Sequence, residues 1–219
     1  IVFFGAGPYV APIIEALSRD FELALVITTE TDPNDPVLYL CSKNSVKAIS
    51  VDKFNSHIVE QTKGFGARMA VLASFGIIVP DEILSLFELG IINIHPSLLP
   101  KYRGPTPVQS AILAGEQTTG VSIITLDKEV DHGPIVIQEF ANIEPTDTSE
   151  TLYRRLFKLG SDVLSEVLPK YITGELEPLE QDHSKATFTE RLTRESGFID
   201  LSDKRHATRC HFTCRIKHF

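Results

Sequence analysis

Two polar side chains, Asn93 and His95, are two residues apart and directly follow the apolar run Leu89–Ile92. Residues two apart in a strand project from the same face, so an amide and an imidazole leave this strand end side by side. Pro96 and Pro100 follow, and they end the strand and stiffen the loop after it. Fixed amide and imidazole donors are suited to stabilise an oxyanion in a transition state.

A carboxylate further along the chain would complete this chemistry. Asp131 precedes His132 and Gly133 in a loop, and a carboxylate there could accept a proton from an attacking amine. A nearby carboxylate would also favour the protonated form of His95. By spacing alone, Asp127 and Glu129 are equally good candidates for this role.

The elements that must position these side chains alternate between strand and helix. Predicted strands are Ile1–Phe4, Leu23–Ile27, Val46–Val51, Met69–Ala73 and the strand that carries Asn93 and His95. Predicted helices between and after them are Val10–Leu17, Lys53–Lys63, Pro80–Phe87 and Val108–Ala114. This order predicts an α/β fold with an open, mostly parallel, Rossmann-like sheet and helices on both faces. Ligands of such sheets bind at the carboxyl ends of the strands, where Asn93 and His95 fall.

The pattern changes after Gly120. Two short apolar runs, Val121–Thr125 and Pro134–Phe140, predict an antiparallel extension of the sheet. A long amphipathic helix is then predicted from Thr148 to Leu168, with Asp147 and Glu150 as its capping box. Its apolar face comprises Leu152, Leu156, Leu159, Val163 and Val167. Pro169 is expected to end or kink this helix.

Several motifs together resemble the catalytic domain of the methionyl-tRNA formyltransferases, a family that uses 10-formyltetrahydrofolate. The resemblance runs from Ile1 to about Leu201. It rests on Phe4–Pro8, Ala73–Pro80, Asn93–Gly104, Pro107–Ile112, Thr119–Ser122, Asp131–Gly133 and Ala186–Phe188. The resemblance implies transfer of a formyl group from the folate to the amino group of initiator methionyl-tRNA.

The same resemblance assigns roles to individual residues and selects Asp131 over its rivals. It implies a catalytic trio of Asn93, His95 and Asp131. It implies folate contacts by Ser97, Leu98, Leu99, Pro100, Phe75, Gly76 and Ile77, and acceptor contacts by Arg103 and Gly104. The co-substrate would be 10-formyltetrahydrofolate, with no metal and no nicotinamide.

Two other sequence features invite ligand assignments. Gly5-Ala6-Gly7 does not complete a dinucleotide motif, and a tight strand-to-helix turn explains its glycines better. A stripe of His206, Cys210, Cys214 and His218 would be about 18 Å long on a helix, too long to close around one metal ion.

Composition and chain length indicate the class of protein, its location and its domain organisation. The charge of −8, 42% hydrophobic residues and three cysteines predict a globular cytoplasmic protein without a membrane span. Residues 1–201 are expected to form the catalytic domain. Residues 202–219 would be a basic tail, or the start of a linker to a C-terminal domain outside this sequence.

The acceptor is the open question. Relatives carry a basic insertion after the second strand, whereas Thr28–Pro36 here is acidic, which disfavours contact with tRNA phosphates. A formyltransferase acting on a small amine, such as glycinamide ribonucleotide or an amino sugar nucleotide, is the alternative. A non-catalytic protein that binds folate or RNA is the third hypothesis.

Overall fold

A single twisted sheet organises the chain in the computed structural model, which describes residues 1–193 and Ser196. Its strands are β1 (Val2–Gly5), β2 (Leu25–Thr28), β3 (Lys47–Ser50), β4 (Ala70–Ala73), β5 (Ile91–His95), β6 (Thr118–Thr125) and β7 (Ile135–Asn142). The order across the sheet is β3-β2-β1-β4-β5-β6-β7. Strands β1 to β5 are parallel, and β6 and β7 are antiparallel to their neighbours. The predicted fold class is therefore confirmed.

Helices cover both faces of this sheet. They are α1 (Ala11–Asp20), α2 (Pro36–Lys43), α3 (Ser56–Lys63), α4 (Asp81–Leu84), α5 (Pro107–Leu113) and α6 (Ser149–Ile172). Single 3₁₀ turns occupy Pro8–Val10 and His183–Lys185. Helices α1, α2, α5 and α6 supply one apolar core, and α3 and α4 supply the other. Two cores on opposite faces bury β1 and β2 completely, which explains why these two central strands are almost continuously apolar, whereas the edge strand β3 is partly exposed.

The alternation of side chains along β5 separates the core from the site. Ile92 and Ile94 belong to the core beneath α6, where Gly160 allows a close approach. A Cβ atom at position 160 would lie 2.7 Å from Cγ2 of Ile94. Because successive strand residues point to opposite faces, Asn93 and His95 emerge on the other side. The packing of the isoleucines thus fixes the direction of both polar side chains.

The second core is built around the ring of Phe4. This fully buried ring makes edge-on contacts with Phe54, Phe75 and Phe87, at centroid distances of 6.2, 5.6 and 6.1 Å. Aromatic rings favour such edge-to-face contacts because the positive edge of one meets the negative face of another. Phe75 is thereby fixed in place directly after β4.

One helix, α2, was not predicted. The sequence nevertheless carries its start signal, because Asp35 precedes Pro36 and accepts a hydrogen bond of 2.8 Å from the Val37 amide. An acidic N-cap followed by proline in the first turn is typical of a helix start. One function of the acidic segment Thr28–Pro36 is therefore to cap the start of α2.

The predicted cap of α6 was wrong by one residue. Thr148, rather than Asp147, is the N-cap, and its partner in the capping box is Thr151 rather than Glu150. The Thr148 amide donates to Thr151 Oγ1 at 2.9 Å, and the Thr151 amide donates to Thr148 Oγ1 at 3.2 Å. The Asp147 carboxylate instead accepts from Thr151 Oγ1 and pairs with Arg155.

Other helix boundaries also differ from the predicted ones. Helix α3 begins at Ser56 because Asn55 caps it, and α4 is a single turn that follows Pro80. Helix α6 continues past Pro169 to Ile172. A proline removes one amide donor, but the Thr173 amide still bonds to the Pro169 carbonyl, so the last turn closes.

Some sequence predictions fall outside the described residues. They are the domain boundary at 201 and the stripe of histidines and cysteines from His206 to His218. Among the residues described, no helix combines the length and apolarity that crossing a lipid bilayer requires.

Candidate active site

A cavity of about 670 Å³ opens at the carboxyl ends of the parallel strands. Its lining comes from the turns after β1, β2 and β4, the end of β5, and the loop between β6 and β7. The chain leaves β1 toward β2 on one side and returns to β4 on the other, so the cavity lies at the switch point of the sheet. Open α/β sheets bind their ligands at this point.

The structure brings Asn93, His95 and Asp131 together on one side of this cavity. Nδ2 of Asn93 donates to Oδ1 of Asp131 at 3.0 Å. Nδ1 of His95 lies 3.4 Å from the same oxygen. The three side chains are largely buried, and all three residues line the cavity. Removal from water strengthens their electrostatic interactions.

Both ring nitrogens of His95 face oxygen atoms that can only accept hydrogen bonds. Nε2 lies 2.9 Å from the carbonyl oxygen of Tyr102, so it carries a proton. Nδ1 faces the Asp131 carboxylate, where a neutral ring would place a lone pair against a negative oxygen. A ring that carries a proton on each nitrogen would offer one N–H to each of these oxygen atoms.

The backbone around Asp131 takes an unusual conformation. Asp131 has a φ of 49°, a left-handed value that aspartate tolerates better than most side chains. Its second oxygen, Oδ2, accepts a hydrogen bond of 2.8 Å from the Gly104 amide. Gly104 has a φ of 104°, and a Cβ there would lie 2.8 Å from the Thr189 carbonyl oxygen. Both carboxylate oxygens are therefore fixed by donors far apart in sequence.

Apolar residues line the part of the cavity beyond the trio. Phe75, Gly76 and Ile77, which the sequence assigned to folate, all contribute to this lining. Ile78 and Val130 also line it and are 82% and 57% exposed, so two apolar side chains lie at the mouth of the cavity. A flat aromatic ligand would cover this surface and remove it from water.

The loop of Ser97, Leu98, Leu99 and Pro100 does not line this cavity. Ser97 is fully buried, and its hydroxyl donates to the Lys101 carbonyl at 2.7 Å. The Leu99 amide donates to Oγ of Ser122 on β6, and this hydroxyl donates to the Ser97 carbonyl. These contacts place the loop behind His95 and attach it to the sheet.

Arg103 also lies away from the cavity, although its neighbour Gly104 lines it. The guanidinium is buried, with Nη2 donating to Gln181 Oε1 at 2.6 Å and contacting Nδ1 of His183 at 2.9 Å. Its Cζ lies 5.9 Å from the centroid of the Phe188 ring. In this structure Arg103 connects the motif Asn93–Gly104 to residues 181–188.

The charges around the cavity are mixed, with an acidic excess. Glu30, Asp127, Glu129 and Asp131 face it, against Lys128 and Arg191. Glu30 was seen in the sequence only as part of an acidic stretch, but its Oε1 accepts a hydrogen bond of 3.0 Å from the Gly7 amide. Nothing in its spacing could have revealed this contact, which joins the turns after β1 and β2.

The glycines at the end of β1 and in the turn after it are required by the structure. Gly7 has a φ of 78°, which favours glycine, and a Cβ at Gly5 would lie 2.9 Å from the Ala73 carbonyl oxygen.

Within residues 1–193 and Ser196, no group of three or more His, Cys, Asp or Glu side chains is arranged to hold a metal ion.

The sequence is similar to those of known proteins. The family model described as "Formyl transferase" matches residues 1–168. A methionyl-tRNA formyltransferase of Chloroflexus aurantiacus is 39% identical over 212 residues, covering 92% of this chain and 68% of the relative.

Solved structures resemble the fold as well. Phosphoribosylglycinamide formyltransferase from Bacillus halodurans is 29% identical, with a TM-score of 0.70 over 80% of this chain and 95% of that one. The N-formyltransferase from Helicobacter canadensis, in complex with folinic acid and dTDP-3-aminofucose, is 20% identical. Its TM-score is 0.75 over 98% of this chain and 79% of that one.

Proposed function

The chain belongs to the formyl transferase family, and from this premise we propose that it transfers a formyl group from 10-formyltetrahydrofolate to the amino group of methionyl-tRNA. The resemblance drawn from the sequence motifs is thereby confirmed at the level of the family. The observation that carries the proposal is the direct contact among Asn93, His95 and Asp131 inside a cavity at the switch point of the sheet.

Asn93 and His95 would stabilise the oxyanion of the tetrahedral intermediate. Attack of an amine on the formyl carbon places negative charge on the formyl oxygen. One N–H of the Asn93 amide is engaged by Asp131, and the other is available to this oxygen. The His95 imidazolium supplies a positive charge next to it. Fixed donors of this kind stabilise a transition state by several kcal/mol, roughly 3–4 for a single donor.

Asp131 would take up the proton that the attacking ammonium must lose. The carboxylate is fixed by Asn93 and Gly104, and it balances the charge of His95. The attacking nitrogen loses a second proton after it has bonded to the formyl carbon. When the carbon–nitrogen bond to the folate breaks, the departing nitrogen takes up one of the two protons, delivered from Asp131 directly or through His95, and the other proton passes to solvent. Proton transfers of this type contribute about 10²–10⁴ to the rate.

The apolar part of the cavity would accept the pterin ring of the folate. Phe75, Gly76 and Ile77 remain our assigned contacts, since they line it and Phe75 is fixed by the ring of Phe4. For Ser97, Leu98, Leu99 and Pro100 we propose indirect support, because their contacts lie behind His95. Folate binding therefore depends on the loop after β4 more than on the loop after β5.

The acceptor assignment follows the curated relative from Chloroflexus aurantiacus, which carries the name methionyl-tRNA formyltransferase. Gly104 would contact the acceptor beside Asp131. Arg103 would act through its position next to Gly104, since its guanidinium is buried against Gln181. The acidic residues after β2 would weaken contact with tRNA phosphates. Any residual binding of tRNA should come from the basic tail around Arg205, Arg209 and Arg215. Such binding should decrease steeply with added salt, because it rests on contacts between cationic side chains and phosphates.

A small amine is the second candidate acceptor, and the similarity to the phosphoribosylglycinamide formyltransferase of Bacillus halodurans favours it. An assay with 10-formyltetrahydrofolate and each acceptor separates the two. We expect formylation of initiator methionyl-tRNA at a rate at least 100-fold above that of glycinamide ribonucleotide. The reverse preference would refute the acceptor assignment, and no transfer to any amine would refute catalysis.

Two further predictions from the sequence remain proposals. A cytoplasmic location is consistent with Cys41, a buried free thiol whose pKa burial raises to about 11. We retain residues 1–201 as the catalytic domain, supported by a family match that ends at 168 and a continuous fold through 193.

A further inference from the structure

The side-chain amide of Gln181 contacts two carbonyl oxygens of the loop that carries Asp131. Nε2 donates to the Asp131 carbonyl at 2.9 Å and to the Gly133 carbonyl at 2.7 Å. Oε1 accepts from Nη2 of Arg103 at 2.6 Å. Gln181 itself is 5% exposed and lies 50 residues beyond Asp131 in the sequence.

The orientation of this amide is determined by its partners. The two carbonyl oxygens can only accept, and the guanidinium of Arg103 can only donate. A flipped amide would place its oxygen against both carbonyls and its nitrogen against the guanidinium. No other side chain of this length offers two donors and one acceptor in the required arrangement without a charge.

These contacts fix a loop whose conformation is otherwise unfavourable. Asp131 has left-handed backbone angles, and residues of this kind persist only where their surroundings determine them. Gly133 lies so close to Thr125 on β6 that a Cβ would overlap the Thr125 carbonyl oxygen. Gln181 contacts the carbonyl groups on both sides of His132, and thereby sets where the Asp131 side chain begins.

We propose that Gln181 is a positioning residue for the reaction, because it fixes the Asp131 carboxylate between Asn93, His95 and Gly104. The inference rests on the proposed function, in which Asp131 accepts a proton. Gln181 does not line the cavity, so it would act on the reaction indirectly, through the position of Asp131. The structure gives each end of Asp131 its own restraint: Gln181 fixes the backbone, and the Gly104 amide fixes the carboxylate.

Neighbouring contacts keep Gln181 in place. Arg103 bonds to both Gln181 and His183, and the ring of His183 stacks on the ring of His132 at a centroid distance of 4.0 Å. The Arg103 amide donates to the Thr187 carbonyl at 2.9 Å. The segment that contains Gln181 is therefore attached to the site by contacts that do not involve its amide nitrogen.

The variant Gln181→Glu tests the proposal. It keeps the length of the side chain and the oxygen that accepts from Arg103, but it replaces both donated hydrogen bonds by repulsion. We expect kcat to fall about 10-fold to 100-fold, since a displacement near 1 Å can have this effect, with little change in KM for the folate. The side chain of Gln181→Asn is too short to reach the two carbonyl oxygens. The kcat of this variant should lie between those of the parent and Gln181→Glu. Gln117→Glu, an exposed residue that makes the same charge change, should retain parental activity.

A double-variant cycle separates positioning from general destabilisation. In an Asp131→Ala background, Gln181→Glu should lower the single-turnover rate by less than 3-fold, because there is no carboxylate left to misplace. Full additivity would overturn the inference. Parental activity of Asp131→Ala alone would instead refute the proposed function, so the two failures are distinguishable.

Amide hydrogen exchange provides a readout that needs no activity. In Gln181→Glu the Gly104 amide, which bonds to the Asp131 carboxylate, should exchange at least 10-fold faster than in the parent. The Arg103 amide, which bonds to Thr187, should be unchanged. Equal acceleration of both amides would mean that the segment has opened as a whole, and unchanged exchange at Gly104 would mean that Asp131 has not moved; either result overturns the proposal.

Discussion

The substitution Asp131→Asn removes one charge from the site and changes almost nothing in shape. The carboxylate accepts at Oδ1 from Asn93 and at Oδ2 from the Gly104 amide. An asparagine has one oxygen, so one of these donors would face the new amino group. A buried donor left without its partner costs about 1–3 kcal/mol, so we expect a modest decrease in the melting temperature.

The effect of Asp131→Asn on the rate of catalysis should be larger than its effect on stability. Unit charges at the 3.4 Å that separates His95 from Asp131 attract each other by ~5 kcal/mol at an effective dielectric constant of about 20. Part of this is recovered by solvent and by the retained hydrogen bond. With the base also lost, we expect kcat to fall by about 10²–10³, since each ~1.4 kcal/mol is tenfold.

The assay is single-turnover formyl transfer at saturating folate, with thermal melting measured in parallel. Asp162→Asn is the matched control, because it makes the same change on α6, away from the cavity, at a carboxylate that is 61% exposed. We expect this control to stay within 3-fold of the parent. If Asp131→Asn also stays within 3-fold, the assignment of Asp131 as the base is wrong.

Three other variants test separate parts of the structure. His95→Ala should lower kcat by about 10² or more and leave KM for the folate nearly unchanged, and a change confined to KM would contradict the oxyanion role. Phe4→Ala should destabilise the fold by about 3–5 kcal/mol and lower Tm by roughly 6–20 °C, as calorimetry can measure. Burial and the Glu116 carboxylate raise the pKa of Tyr102 to about 12. Because the folded state then retains a proton that the unfolded state loses, stability should decrease as pH rises from about 10 to 12. The variant Tyr102→Phe should reduce this decrease in denaturant titrations, and an unchanged pH dependence would argue against the raised value.

Much of the fold could be predicted from the sequence, because the information was local. Buried parallel strands such as β1 are continuous apolar runs, and the extended pair after Gly120 differs visibly from the alternation before it. Boundaries were less predictable. Thr148 and Asp147 are both good caps by type, and only the backbone angles decide which of them begins α6.

The site was predictable where it follows from strand geometry and unpredictable where it depends on packing. The placement of Asn93 beside His95 follows from their spacing in one strand. The loop from Ser97 to Pro100 belongs to the same motif, yet its hydrogen bonds to Ser122 direct it away from the cavity. Gln181 carries no local signal, since a glutamine in a polar segment is ordinarily solvated.

The order in which the chain is synthesised determines when Asp131 acquires each of its restraints. Its partners lie 38 residues before it at Asn93, 27 before it at Gly104, and 50 after it at Gln181. Closing loops of this length costs conformational entropy. As the chain leaves the ribosome, the sheet can form before Gln181 has been synthesised, but the carboxylate acquires its last restraint only afterwards. The parallel strands are thus all synthesised before the last restraint on the site, and a nascent chain released before Gln181 would contain the trio without its final geometry.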